Sequence, residues 1–464
     1  MYKNFNIVNR LITFVVLSLL CGSYISGQTT TAKTVSDEQI IAKTNEYMEA
    51  AVKVNGFSGS ILVARDGKPV VNRGYGMANI ELDVPNTPQT VFRLGSVTKQ
   101  FTGMAIAMLA ERGKLNVDDP ICKYLTVCPE IWKPLTIKNL LTHTSGIANY
   151  TGFPEFAKTA VLPMSSDEML ALLKDKPLDF APGEKYAYSN SGYYLLGLII
   201  ERTSGKSYAD FLRENIFTPL GMKNTDYDSP IRIIKNRASG YARQGGEVVN
   251  ASYMDMTIPY AAGALFSTTE DLLVWDQALY TEKLVSKKTL DEIFTPFKNG
   301  YGYGWGIGKK FNRREISHGG NIYGFAAEIA RFPDDKVTVI VLSNAQGAPA
   351  GRIGNDLAAI FFGEPYEIPQ ERKEIALDAK ILEKYVGEYK IDQPSVTISI
   401  LLENGKLMGQ VMWQGKFALA AESETVFFSK DVGAKITFNK DAEGKVSGLT
   451  LSQGGSNFPA KKIK

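Results

Sequence analysis

Hydrophobic and polar positions change period several times along the chain, and each change predicts an element. After Ser36, the stretch SDEQIIAKTNEYMEAAVKV has an acidic first turn and apolar residues at helical spacing, which predicts a first helix. GFSGSILVARDGKPVVNRGYG then alternates about an Asp66-Gly67 pair, the pattern of a β-hairpin. From Ser96 the helical period returns. Phe101, Met104, Ala105, Met108 and Leu109 fall on one apolar face, and Gly113 is placed to stop the helix. A serine at a helix start ordinarily caps it. Lys99, however, stands three places on, where a capping box wants Glu or Gln and where the positive end of the helix dipole disfavours a cation. A broken local rule of this kind tends to mark a functional site.

Helical patterns follow from about Ile137 to Leu220, separated by Pro and Gly loops, and strand-like runs return in EIARFPDDKVTVIVLSN. Helices enclosed by two sets of strands predict an α/β (α+β) sandwich with a helical subdomain over residues 36–365. GEPYEIPQ, with its two prolines, marks a boundary, so residues 366–382 read as a linker. Beyond it the texture changes to short alternating segments, among them VTISILLENGKLMGQVMW, AKITFNK and VSGLTLSQ, joined by turn pairs such as Asn404-Gly405. Residues 383–464 are therefore expected to form a small antiparallel β-barrel or sandwich.

A chain of 464 residues suits two folded units plus a targeting segment. Its formal charge of +3 is spread without long blocks of one sign, which gives no electrostatic case for nucleic acid as a partner. Lys3 and Arg10 flank the amino end, Leu11 to Leu20 are apolar, and Gly22, Ser23, Ser26 and Gly27 are small. Residues 1–27 thus read as an export signal cleaved near Gly27, which implies a periplasmic or secreted protein. The apolar run is half of the ~20 residues that a stable membrane span needs. Cys21 offers a lipoprotein alternative, but Leu20 stands before it where a small residue is usual. Cys122 and Cys128 remain in the mature chain. A disulfide across their short loop and two half-buried free thiols are both open, and neither cysteine is placed for catalysis.

Three small groups could carry chemistry. Ser96-x-x-Lys99 occurs once in the chain, and a spacing of three puts both side chains on one helix face a turn apart. A lysine with its pKa lowered by burial, or a group poised by it, can take the proton that makes a serine hydroxyl nucleophilic. Tyr188-x-Asn190 lies in KYAYSNSGYYLLG, in a loop leading into an apolar helix. The phenol, with a pKa of about 10, becomes a base only if a neighbouring ammonium lowers that value, and Lys99 is the expected neighbour. His318-Gly319-Gly320 lies in SHGGNIYGF, where the glycines allow a backbone to approach closely. His143 and His318, the only two histidines, are far apart in sequence with no cysteine pair near, so a metal site is not expected.

The order and spacing of these groups resemble the penicillin-binding and class C β-lactamase family of serine hydrolases. The resemblance runs from Gly59 to about Asn344 and includes FRLGSVTKQFTGMAIAMLAERGKLNVDDP, LLTHTSGI, YSNSGYYLLGLIIE and GYGYGWGIG. It implies a β-lactamase/transpeptidase-like sandwich of an antiparallel sheet with helices, with Ser96 as the nucleophile that forms an acyl-enzyme and Lys99 with Tyr188 as the proton relay. Asn190 would bind the substrate amide, and His318, Gly319 and Gly320 would lie on the edge strand. The N–H groups of Ser96 and Asn321 would form the oxyanion hole. His143, in LLTHTSGI, is read as structural. Relatives often carry Lys-Thr-Gly where this chain has His318-Gly319-Gly320, which shifts weight from a class C type β-lactamase toward D-amino-acid peptidases and esterases. The expected activity is that of a D-Ala-D-Ala carboxypeptidase-like peptidase or an esterase without cofactor. A non-catalytic penicillin-binding or sensor protein is the rival from another class. The tail from LEKYVGEYKI resembles a lipocalin-like β-domain, which would bind substrate, support a homo-oligomer or only cover the catalytic domain. No Gly-x-Ser-x-Gly elbow exists, so the α/β-hydrolase fold is set aside.

Overall fold

The acidic turn after Ser36 is capped in full. Ser36 Oγ accepts from the Gln39 N–H at 3.3 Å, and Gln39 Oε1 accepts from the Ser36 N–H at the same distance. In the computed structural model this box opens α1 (Asp37–Asn55), which ends at Gly56 with φ +62. The structure describes residues 35–464 except 245, 392–395, 412–415, 430–432 and 454–455. The expected export signal, with Cys21, lies outside the described residues.

The predicted hairpin forms as β1 (Gly59–Arg65) and β2 (Lys68–Tyr75), with Asp66 at φ +50 and Gly67 at φ +72 making the tight turn. The helical layer includes α2 (Thr98–Glu111), α3 (Asn190–Ser204) and α4 (Thr269–Ala278). Four more strands follow: β3 (Gly306–Lys310), β4 (Arg313–Ile322), β5 (Phe325–Phe332) and β6 (Val337–Ser343), and then α5 (Ala350–Phe362). The sheet order is β3-β4-β5-β6-β1-β2, antiparallel throughout. The early hairpin is therefore completed by strands more than two hundred residues later, with Gly59 opposite Ser343 and Arg65 opposite Val337.

One face of the sheet packs on α1 and α5 through Tyr47, Ile61, Val63, Val339, Val341 and Leu357. The other packs on the helical layer, where Leu62, Leu342, Phe101, Leu196 and Trp275 share one core. Alternate β1 residues thus enter different cores, which explains why that strand reads as an unbroken apolar run. A buried ion pair ties the layers, with Arg331 on β5 donating to Asp276 on α4 at 2.7 Å while Thr338 donates to the same carboxylate at 2.6 Å. Cys122 and Cys128 are joined in a disulfide. The tail closes into an eight-stranded antiparallel barrel, its first strand (Gly387–Ile391) pairing with its last (Ser456–Lys462). Tyr389, Ile398, Ile400, Phe438 and Leu449 fill it from alternate positions.

Candidate active site

Ser96 does not cap the helix. It sits in a 3₁₀ turn, Gly95–Val97, and α2 begins after it at Thr98 with no side-chain cap. Nor is α2 apolar on one face alone: every residue from Thr98 to Leu109 is buried, Lys99, Gln100 and Thr102 included. Sheet, helices and loops enclose it on all sides, so its polar residues find partners inside. Lys99 Nζ donates to Ser96 Oγ at 3.0 Å, Asn190 Oδ1 at 2.8 Å and the Ala262 carbonyl at 2.8 Å. Three donors meet three acceptors, and among the described residues no carboxylate bridges this ammonium. Burial therefore acts without a compensating charge and holds Lys99 well below the ordinary lysine value.

Tyr188 faces the same pair. Its ring centroid lies 4.7 Å from Lys99 Nζ, and Ser96 is the side chain that acts on its phenol against the effect of burial. The expectation that Lys99 lowers the phenol's pKa is not met. Burial dominates and pushes Tyr188 well above the usual phenol value, with the Ser96 hydrogen bond only partly opposing it. The resting site thus holds a neutral phenol beside a depressed lysine. Asn190, the first residue of α3, is gripped by the protein as well as by Lys99, since its N–H donates to Asn149 Oδ1 at 3.1 Å and its Nδ2 to Thr151 Oγ1 at 3.4 Å. Anchoring Lys99 is a role for Asn190 that spacing could not show.

Gly320 on β4 closes the constellation. A Cβ there would stand 2.0 Å from the Leu94 carbonyl oxygen and 3.1 Å from the Ser96 nitrogen, and one on Gly95, at φ +53, would meet the Asn321 nitrogen at 2.9 Å. Two glycines let the strand and the serine turn touch backbone to backbone, which brings the amides of Ser96 and Asn321 together. The pairing of β3 with β4 ends at Gly306 opposite Ser317. From His318 to Ile322, β4 has a described partner only in β5, and its other edge faces the Ser96 turn. An extended substrate can add to such an edge.

A family model described as Beta-lactamase matches residues 45–361. The chain belongs to the beta-lactamase family. A second model, a domain of unknown function (DUF3471), matches residues 371–461. Penicillin-binding protein 4* of Bacillus subtilis is 31% identical over 442 residues, covering 88% of this chain and 95% of that protein. Among solved structures, the octameric penicillin-binding protein homologue from Pyrococcus abyssi superposes with a TM-score of 0.64 at 27% identity, over 91% of this chain and all of its own. A D-stereospecific amidohydrolase from Streptomyces sp. gives 0.57 at 26% identity, over 66% of this chain and 94% of its own. These likenesses support serine hydrolase activity.

In this member of the beta-lactamase family the third motif is electrically silent. His318 Nδ1 lies 2.6 Å from the Gly319 carbonyl, which can only accept, so Nδ1 carries the hydrogen. Nε2 is then the acceptor and takes the hydroxyl hydrogen of Tyr301 at 2.8 Å. Burial first, then the charge of Lys99, lowers His318 to about 4, against the opposing Gly319 bond. Both ring nitrogens are satisfied within the protein. Tyr301 had no role assigned from the sequence, although its motif GYGYGWGIG was visible there. The contact itself joins the segment just before β3 to β4, and only the tertiary structure brings the two side chains together.

Proposed function

We propose that this protein is an exported serine hydrolase that transfers an acyl group through Ser96, acting on amides and esters of D-amino acids or similar small acyl donors. The observation that carries the reading is the buried Lys99 amino group held at Ser96 Oγ, its pKa well below the ordinary lysine value and no carboxylate partner beside it among the described residues. Neutral Lys99, with the Tyr188 hydroxyl as relay, takes the Ser96 proton while Oγ attacks the substrate carbonyl carbon. The N–H groups of Ser96 and Asn321 receive the oxyanion. The same relay returns the proton to the leaving amine or alcohol, and water then releases the acid from the acyl-enzyme. Asn190 is assigned to the substrate amide as well as to Lys99.

The leaving side distinguishes the candidate substrates. Neutral His318, tied to Tyr301 and Gly319, offers no cation for a carboxylate. This supports neutral leaving groups over D-Ala-D-Ala peptides and penicillins, both of which present a carboxylate. The D-stereospecific amidohydrolase among the structural likenesses points the same way. Export is supported by the basic, apolar and small-residue order of residues 1–27 and by the disulfide, which suits an oxidising compartment. Self-association is a separate part of the proposal, supported by the octameric homologue from Pyrococcus abyssi.

Intact mass after incubation with a penicillin and, separately, with p-nitrophenyl acetate tests the reading, with Ser96→Ala as control. Ester turnover that depends on Ser96, with no lasting penicillin adduct and no penicillin consumed, is the expected result. Penicillin consumption would make the protein a β-lactamase, and a lasting adduct a penicillin-binding peptidase. Identical behaviour of wild type and Ser96→Ala would remove Ser96 as nucleophile.

A further inference from the structure

His143 follows the short helix Ile137–Leu141 and is 1% exposed. Its backbone is left-handed, with φ +55, a conformation few residues other than glycine adopt. Its carbonyl accepts the Ala187 N–H at 2.9 Å, and its Nδ1 accepts the Ser189 N–H at 3.1 Å. Ala187 and Ser189 are the two neighbours of Tyr188. The imidazole also lies against the Tyr188 ring, with the two centroids 4.3 Å apart. One residue therefore holds the chain before the tyrosine, the chain after it and the ring between.

The tautomer follows from the same contacts. A backbone N–H can only donate, so Nδ1 is the acceptor and Nε2 carries the hydrogen of a neutral imidazole. Burial, then the charges of Lys99 and His318, favour that neutral form. Nε2 is buried without a hydrogen-bond partner among the described residues, beside the rings of Tyr193 and Tyr301 at 5.0 and 4.6 Å between centroids. An orphaned donor and a left-handed backbone are both unfavourable. A residue needed only to fill space would incur neither, and strain of this kind gathers where geometry matters to function.

We propose that His143 is a positioning residue for Tyr188: it fixes the backbone on both sides of the tyrosine and the tilt of its ring, keeping the phenol oxygen at Ser96 Oγ. It touches no substrate and exchanges no proton. The inference rests on the acyl-transfer reading above and adds to it a residue outside the three motifs.

A double-mutant cycle on the full chain, with p-nitrophenyl acetate as the probe, tests it. His143→Leu deletes the acceptor. His143→Asn restores an oxygen near the place of Nδ1 and tolerates the left-handed backbone. His143→Leu is expected to lower kcat about 100-fold with KM changed less than about threefold, the signature of a displaced relay. His143→Asn recovers activity to within about fivefold of wild type, because its oxygen again holds the Ser189 N–H. In a Tyr188→Phe background His143→Leu costs less than about threefold, since position no longer matters once the hydroxyl is gone. Equal losses in both backgrounds, or His143→Asn as impaired as His143→Leu with similar melting temperatures, would overturn the proposal and leave His143 a packing residue. If His143→Leu fails to fold, His143→Gly, which suits the backbone, enters the same comparison. A folded wild type inert toward the ester would sink the acyl-transfer reading together with this inference. An active wild type with an additive cycle would sink the inference alone.

Discussion

Lys99 shows how function is written against stability. In its ammonium form Lys99 is satisfied by three neutral acceptors, yet it then carries charge in a medium that disfavours charge. Lys99→Met should therefore abolish ester turnover while leaving the melting temperature unchanged or higher, because it replaces that charge by an apolar chain of similar length. The pH dependence has a definite sign. The folded value lies well below 10.5, so wild type bears the full penalty below the folded value and sheds it as pH rises toward the ordinary lysine value. The advantage of Lys99→Met in melting temperature should be largest at low pH and shrink as pH rises. A lead that is constant with pH would show that Lys99 binds its proton equally in the folded and unfolded states, and so that its pKa is not depressed within the tested range. Lys99 was legible as an anomaly in its own helix, whereas its partners Ala262 and Asn190 lie in distant segments.

At the scale of elements, the approach of β4 to the serine turn separates two adjacent glycines. A Cβ on Gly320 would strike the Leu94 carbonyl at 2.0 Å, where backbone must move. On Gly319, which faces the other side of the sheet, it would crowd the Glu328 Oε2 end at 2.8 Å, which can swing away, and stand an ordinary 3.7 Å from the Ala327 carbonyl. Gly320→Ala should thus cut ester turnover by about 10²-fold or more, through an ångström-scale displacement of the oxyanion amides, and Gly319→Ala by much less. Comparable kcat losses in the two variants would argue against the edge strand as part of the site. The sequence gives both glycines the same letter. Alternation along β4 and its register with β5 decide which one meets the serine. Periodicity similarly predicted α2 but not its burial on every side, since period reports one helix and not what surrounds it.

For the whole molecule, the barrel core shares no residue with the cores on the two faces of the sheet. Calorimetry should show two transitions rather than one. Asp276→Ala, which strips the buried partner of Arg331 at the layer boundary, should lower only the transition of the sheet and helices, by about 3–5 kcal/mol in stability. A single transition that shifts as a whole would show that barrel and catalytic layers unfold together. The barrel was predicted from alternation and turn pairs, with closure left open against a sandwich. Closure depends on the pairing of residues 387–391 with 456–462, a contact between the ends of the tail that no local pattern contains.

Local chemistry, readable along the chain, determined the helix after Ser36, the Asp66-Gly67 hairpin, the placement of serine and lysine one turn apart, and the motif order that marks the family. The tertiary structure decided the rest. It joined β1 to β6, set Gly320 against Leu94, tied His318 to Tyr301 and turned the expected depression of Tyr188 into an elevation. Desolvation and hydrogen bonding are sums over atoms from many segments. A sequence lists those atoms, but only the fold fixes which of them share a site and whether water is left between them.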